Sequence, residues 1–183
     1  MNMKRENGFT LVELLISIVI VTTLLAMGIP SFKDFLKNNR LVAQSNGLVA
    51  ALQLARSEAV KRGTDTVICA STNQTACTGN GDWDKGWIVF SDIDRNGTPN
   101  VGASAPLCED TEDCMLRTDG ALSGKNKINT TAASLRFLPT GMAANGGATV
   151  ALNLVSDNCE HTQARRIQVT LQGHTIVTKQ ACP

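Results

Sequence analysis

The chain has 183 residues, with 17 Lys and Arg against 16 Asp and Glu, for a formal net charge of +1. A balance this even excludes the strongly basic proteins that bind nucleic acid or anionic membranes through whole-chain charge. Aromatic residues make up 4% and Tyr is absent, whereas Gly, Thr and Asn are common. That composition favours a domain rich in strands and turns over a helical bundle.

An apolar run covers residues 9–29 and contains one charged residue, Glu13. About 20 apolar residues are enough for a helix to cross the hydrocarbon core of a bilayer, so the run is predicted to be a transmembrane segment. Lys4 and Arg5 precede it and would stay on the cytoplasmic side by the positive-inside rule. Because a carboxylate at mid-membrane costs roughly 2.5 kcal/mol or more, Glu13 is expected to need a partner.

Residues 8–16 read Gly-Phe-Thr-Leu-Val-Glu-Leu-Leu-Ile and resemble the class III prepilin signal of type IV pilins and type II secretion pseudopilins. The resemblance implies that a prepilin peptidase cuts between Gly8 and Phe9 and that Phe9 becomes the N-methylated terminus. Glu13 would then be the fifth residue of the mature chain, where the family has a glutamate. Its carboxylate could pair with the terminal amine of a neighbouring subunit and help to set the stagger, because an unpaired buried charge is heavily penalised.

Pro30 follows the apolar run and is predicted to bend the helix without ending it, because proline lacks the N–H and clashes with the preceding turn. Pilin-like helices often carry such a proline, so Pro30 is grouped with Glu13 as an assembly residue. An apolar stripe at helical spacing then consists of Leu48, Leu52, Ala55 and Ala59. Gly63 is a helix stop signal, and the prediction is one nearly continuous helix over residues 9–62.

Three further stretches resemble the GspH/FimT group of minor pilins and pseudopilins. Residues 54–63 are similar to its helix end, residues 83–92 to its tryptophan-containing strand, and residues 164–173 to its C-terminal strand and turn. The resemblance implies an α+β fold, in which a long N-terminal helix packs against an antiparallel, β-rich globular head.

The head is predicted to consist of short strands separated by turns. The predicted strands cover residues 66–70, 87–90, 134–138, 150–154, 166–172 and 174–178, the last two forming a hairpin that turns near Gly173. Residues 139–141, with the sequence Pro-Thr-Gly, predict a turn. Residues 96–124 are rich in Gly, Pro, Asp and Thr and are interpreted as a long variable loop.

Six cysteines follow the apolar run. Their even number and extracytoplasmic context favour disulfides over free thiols, although sequence leaves about 15 connectivities open. Pairing in sequence order is the simplest hypothesis: Cys69 with Cys77, Cys108 with Cys114, and Cys159 with Cys182. A zinc site is disfavoured because the chain has no C-x-x-C pair, and His161 and His174 lack ligand spacing.

Asp92, Asp94, Asn96 and Gly97 spell D-x-D-x-N-G, the opening of an EF-hand calcium loop. The twelfth loop position is Ala103, so the bidentate glutamate is missing, and the flanks are typical of strand and loop. We therefore interpret the motif as a polar turn in preference to a metal site.

Arg165, Arg166, His174 and Lys179 are candidate DNA contacts. Some FimT proteins bind DNA through a G-R-x-R sequence in the C-terminal hairpin, but the aligned residues 173–176 read Gly-His-Thr-Ile, and both arginines are missing. Phosphate binding requires several cations acting together, and adjacent residues on a strand point to opposite faces. The favoured interpretation is a solvated strand edge.

Enzyme motifs are missing from the sequence: it has no G-x-S-x-G, no nucleotide-binding loop and no H-E-x-x-H. We predict that the protein is not an enzyme and uses no cofactor or metal. Four segments are expected: a leader over residues 1–8, a transmembrane or filament-core segment over 9–29, an amphipathic continuation over 30–63, and the head over 64–183.

The expected function is that of a minor type IV pilin that primes or caps pilus assembly for twitching, adhesion or DNA uptake. The alternatives are a minor pseudopilin of type II secretion and a DNA-binding minor pilin of the competence pilus. The expected partners are other minor pilins, the major pilin or pseudopilins, the prepilin peptidase and the inner membrane, with DNA less favoured. The chain is expected to span the inner membrane once, with a periplasmic head, before it enters the pilus at the cell surface.

Overall fold

The computed structural model describes residues 9–100, 112–144, 146–159 and 163–182. The chain divides into two compact units, residues up to Asn38 and residues from Asn39 onward. The first consists of the N-terminal part of a long helix, and the second contains the rest of that helix and all the strands.

The helix, α1, runs from Leu11 to Arg62. Thr10 is its N-cap: the hydroxyl of Thr10 accepts a hydrogen bond from the Glu13 N–H at 3.3 Å, and the spacing Thr10-x-x-Glu13 is that of a capping box. Gly63 ends the helix with φ of +68°, and its N–H donates to the Ala59 carbonyl at 3.0 Å, as expected one position beyond the helix. The predicted helix is confirmed to within two residues of each end. The bend at Pro30 stays a prediction.

Over the described residues, eight strands form two four-stranded antiparallel sheets. The first sheet has the order β3-β2-β1-β5 and is built from β1 (Asp65–Ala70), β2 (Trp87–Asp92), β3 (Cys114–Asp119) and β5 (Ser134–Phe137). The second has the order β4-β6-β7-β8 and is built from β4 (Lys127–Asn129), β6 (Val150–Val155), β7 (Ala164–Val169) and β8 (Thr175–Gln180). Short 3-10 helices lie at Trp83–Lys85 and Ser123–Lys125.

The main core lies between the second half of α1 and one face of each sheet. The fully buried helix residues are Leu41, Leu48, Ala51, Leu52, Ala55 and Ala59, which includes the whole predicted stripe. They pack with residues of both sheets, among them Ile68, Phe137, Leu152 and Ile167. The predicted core face of the helix is therefore confirmed.

The two central strands of the first sheet, β1 and β2, are buried on both faces. Every residue of β1 and β2 is buried, and a second cluster of Val67, Cys69, Ile88 and Phe90 lies on the face away from the main core. Burial on both faces explains why these strands read as continuous apolar runs and not as an alternation of apolar and polar residues.

The predicted strands are all present, with shifted bounds. The C-terminal hairpin is confirmed, but its strands are Ala164–Val169 and Thr175–Gln180, so each differs from the predicted bounds by up to three residues. The interpretation of residues 96–124 as one loop is wrong, because β3 occupies Cys114–Asp119. This segment is a strand because it pairs with β2, Ser91 lying opposite Cys114, and that pairing cannot be read from local sequence.

Candidate functional site

The N-terminal part of α1 presents apolar side chains on all sides. Within residues 9–29, the large apolar residues that are more than half exposed are Phe9, Leu11, Val12, Leu14, Leu15, Ile16, Ile18, Val19, Ile20, Val21, Leu24, Leu25 and Ile29. A helix that is hydrophobic all round is normally covered by lipid or by other protein. Over the described residues, no helix meets the combined length and hydropathy required of a membrane span.

Glu13 lies in the first turn of this helix and is exposed. Its backbone N–H is bound by the Thr10 hydroxyl, and no ion pair among the described residues involves its carboxylate. An acidic side chain here is favoured by the helix dipole. Gly8 lies outside the described residues, as does the side chain of Pro30, while Phe9 is 77% exposed.

The structure gives roles to several residues of the segment 54–63, the helix end that resembles the GspH/FimT group. The Glu58 carboxylate accepts from Arg62 Nε at 2.7 Å and from Lys61 Nζ at 3.4 Å. The hydrogen bond from Arg62 is the main reason that the pKa of Glu58 lies below its ordinary value. Arg56 makes a contact outside the helix: its Nε donates to the Gly141 carbonyl at 3.0 Å. This hydrogen bond ties the helix to the turn after β5.

That turn also joins the two sheets. The Gly141 N–H donates to the Leu138 carbonyl at 2.8 Å, and the Ala143 N–H donates to the Leu171 carbonyl at 2.9 Å. Gly173, in the β7–β8 turn, lies against both Gly141 and Arg56. A cavity of about 580 Å³ beside this junction is lined by Arg56, Ser57, Lys61 and His174, among others. Sequence reasoning missed the role of Arg56; its place within the helix-end motif was the available signal.

The two tryptophans of residues 83–92, the stretch that resembles the GspH/FimT group, both pack in the main core. Trp83 is fully buried, and its Nε1–H donates to the Ala132 carbonyl at 2.7 Å. Trp87 is also buried, but its Nε1 has no hydrogen-bond partner among the described residues. The motif is thus explained by core packing.

Two of the three disulfides predicted from sequence order are present, Cys69–Cys77 and Cys159–Cys182. The first lies against the second cluster of the first sheet, and the second links the segment after β6 to the C-terminal end of β8. The remaining pairing involves Cys108, which lies outside the described residues, so that pairing stays a prediction.

The candidate DNA contacts do not converge. Arg165 is opposite Lys179 in the β7–β8 pairing, but Arg165 is buried, with Nη1 donating to the Ala164 carbonyl at 3.0 Å. Arg166 is half-buried and lies opposite Thr178. His174 is exposed at the turn, about 17 Å along the strand from Lys179 at ~3.4 Å per residue. Of these four residues, the structure brings together Arg165 and Lys179 and separates both from His174.

Comparison with known proteins agrees with this architecture. A family model described as "Type II transport protein GspH" matches residues 44–173, and one described as "Prokaryotic N-terminal methylation motif" matches residues 3–29. A relative, the type IV major fimbrial protein FimA of Dichelobacter nodosus, is 29% identical over 151 residues, which are 79% of this chain and 89% of FimA.

A similar fold occurs in the type IV minor pilin FimU of Pseudomonas aeruginosa. One of its crystal structures has a TM-score of 0.52 at 22% identity and covers 81% of this chain and 92% of FimU. In a second crystal form the TM-score is 0.51 at 20% identity, with coverage of 77% and 98%. The GspH model spans most of the chain, including the buried half of α1 and seven of the eight strands. The chain therefore belongs to the GspH family. Its members are pilins and pseudopilins, which are structural subunits that assemble with one another.

Proposed function

We propose that the chain is a minor type IV pilin, a structural subunit that primes or caps the assembly of a pilus. The observation that carries the proposal is the N-terminal part of α1, where apolar side chains are exposed on every side around one carboxylate. Such an apolar surface is unfavourable in water and is normally covered by lipid or by other helices. Before assembly the membrane would cover it, and in the pilus the helices of neighbouring pilins would do so.

We also propose the processing route that the sequence implies. A prepilin peptidase would cut between Gly8 and Phe9, and Phe9 would become the N-methylated terminus. Residues 9–29, with Glu13 as their single charge, would hold the protein in the inner membrane with the head in the periplasm. The protein would then enter the pilus beside other minor pilins and the major pilin.

Glu13 could act in two ways, by capping the helix and by carrying a charge, and substitution by alanine would remove both. Glu13 lies three residues after the N-cap Thr10, whose hydroxyl accepts from the Glu13 backbone N–H, and at this position of a capping box glutamate and glutamine both serve. In a filament its carboxylate would pair with the terminal amine of a neighbour, and that role requires the negative charge. Glu13→Gln keeps the capping capacity and removes the charge, whereas Thr10→Ala removes the cap and keeps the charge.

The test expresses these variants in a piliated strain that lacks the native gene, and measures the subunit in sheared pili by immunoblot. Glu13→Gln is expected to undergo leader cleavage normally and to reach sheared pili at a level reduced about tenfold or more, the loss expected for one buried charge pair. Thr10→Ala should be incorporated nearly as well as the wild type. Asp34→Ala, which removes an exposed carboxylate from the same helix, is the matched control. Normal incorporation of Glu13→Gln would refute the pairing.

A minor pseudopilin of type II secretion is the second candidate, and the description of the matching family model favours it. The two candidates differ in the machinery that the subunit joins. Complementation separates them: a pilin should restore piliation to a strain that lacks its minor pilin, and a pseudopilin should restore secretion to a strain that lacks its minor pseudopilin.

A DNA-binding minor pilin is the less favoured candidate, because its four basic residues do not form one patch. A gel-shift titration of the full chain at rising salt tests it. Binding that falls steeply with salt and is weakened by Lys179→Ala would support a DNA role.

A further inference from the structure

The turn after β2 brings three carboxylates together. Asp92, Asp94 and Asp113 each offer an oxygen, and these atoms all lie within 4.8 Å of one another. We propose that this cluster is a calcium-binding site. The inference is independent of the function proposed above.

The pairing of two strands creates the cluster. Because Ser91 lies opposite Cys114 in the antiparallel β2–β3 register, the next residue of β2, Asp92, comes beside the residue that precedes β3, Asp113. The sequence motif lacked a glutamate at its twelfth position, Ala103, which lies outside the described residues. The structure supplies a third carboxylate from Asp113, and so removes the main sequence-based objection to a metal.

An unsatisfied buried oxygen points to a missing ligand. Asp92 is fully buried. Its Oδ2 accepts from the Gly97 N–H at 3.0 Å and lies 3.2 Å from Arg136 Nη2, but its Oδ1 has no hydrogen-bond partner among the described residues. A buried carboxylate oxygen without a partner is costly, and a cation bound at the cluster would satisfy it.

The charge balance also favours a cation. Among the described residues, the cation paired with Asp92 is Arg136, which also pairs with Asp65 at 3.3 Å. The three carboxylates therefore carry more negative charge than Arg136 offsets.

The donor set suits calcium. All the candidate ligands are oxygens, and calcium accepts six to eight oxygens in flexible geometry, whereas magnesium requires near-ideal octahedral geometry. The two Asp113 oxygens accept N–H groups from Ile93 at 2.8 Å and Asn100 at 2.9 Å. These bonds orient the carboxylate, and each oxygen keeps a lone pair for a metal. Asp94 is exposed and gives the ion access from solvent.

Isothermal titration with CaCl₂ alone tests the site, using the full chain in detergent micelles after chelator treatment. We expect one saturable site with a Kd between about 10⁻⁷ and 10⁻³ M, the range of calcium sensors and extracellular modules. Asp94→Asn should weaken binding about tenfold or more. Asp94 is exposed, so this variant should keep the wild-type circular dichroism spectrum. Asp157→Asn, which removes an exposed carboxylate outside the cluster, should leave the Kd unchanged.

Three results would overturn the proposal. The first is no saturable heat at millimolar CaCl₂. The second is equal weakening by Asp94→Asn and Asp157→Asn, which would indicate non-specific attraction by surface acids. The third is equally tight binding of MgCl₂, which would contradict the assignment of the site to calcium. A calcium-dependent rise in melting temperature that Asp94→Asn abolishes would support it.

Discussion

Gly173 is the position where the structure makes its sharpest prediction about stability. It lies in the β7–β8 turn with φ of +75° and is buried. A Cβ added there would overlap the Gly141 carbonyl oxygen and lie 3.0 Å from Arg56 Nε. These two atoms form the hydrogen bond that ties α1 to the junction of the sheets. Gly173→Ala therefore strains the turn and separates this pair.

The cost has two sources. A residue with a side chain in the left-handed region costs about 1–2 kcal/mol, and loss of a hydrogen bond from a charged donor costs about 1.5–3 kcal/mol. We expect Gly173→Ala to lower the free energy of unfolding by about 3–4 kcal/mol. At ~2–4 °C per kcal/mol for a chain of this size, the melting temperature should fall by about 10 °C.

Thermal and urea unfolding of the full chain in detergent, followed by circular dichroism, measure the effect. Gly147→Ala is the matched control, because Gly147 has φ of +82° and a Cβ added there meets no atom within 4 Å. It should cost only the backbone strain of about 1–2 kcal/mol. Equal destabilisation by the two substitutions would show that the Arg56–Gly141 contact contributes nothing, and would refute the reasoning.

Two further predictions concern the helix end and the first sheet. Trp83→Phe should cost about 1–3 kcal/mol more than Trp87→Phe, because only the Trp83 indole donates a hydrogen bond, to the Ala132 carbonyl; equal costs in urea unfolding would contradict this. The pKa of Glu58 is lowered from its ordinary value of 4.5, so its carboxylate stabilises the fold above about pH 4.5 and this contribution is lost as pH falls through the lowered pKa. Glu58→Gln should therefore be about 0.5–1 kcal/mol less stable than the wild type at pH 7, after allowance for solvent screening, and this difference should shrink as the pH falls below the ordinary value of 4.5. A difference that does not change with pH would exclude the charge as its cause.

Local patterns in the sequence predicted much of the fold. The helix ends at Gly63 as expected, because a glycine can take the left-handed conformation that closes a helix. The stripe from Leu48 to Ala59 is buried as predicted, since residues at this spacing share one helix face. The apolar run of β2 and the turn at residues 139–141 were also visible. In each case the signal lies within a few neighbouring residues, and the physics that produces it is local.

The elements that were missed depend on partners distant in sequence. The strand Cys114–Asp119 carries mixed apolar and polar residues and becomes a strand through its pairing with β2. The motif at Asp92 was interpreted as a polar turn because the third carboxylate, Asp113, is not at the expected sequence position. The basic residues near the C-terminus are interpreted from sequence as a solvated strand edge, but the strand pairing buries Arg165 and places His174 at the other end of the hairpin.

The sequence by itself determined the family, the long helix that ends at Gly63, and the apolar run around Glu13. These features depend on consecutive or helically spaced residues, and chain connectivity alone sets the distances between such residues. Only the tertiary structure decided that Arg56 and Gly173 meet at the junction of the two sheets, and that Asp113 joins Asp92 and Asp94. Those contacts arise from strand register and helix packing, which bring together groups that the chain separates by tens of residues.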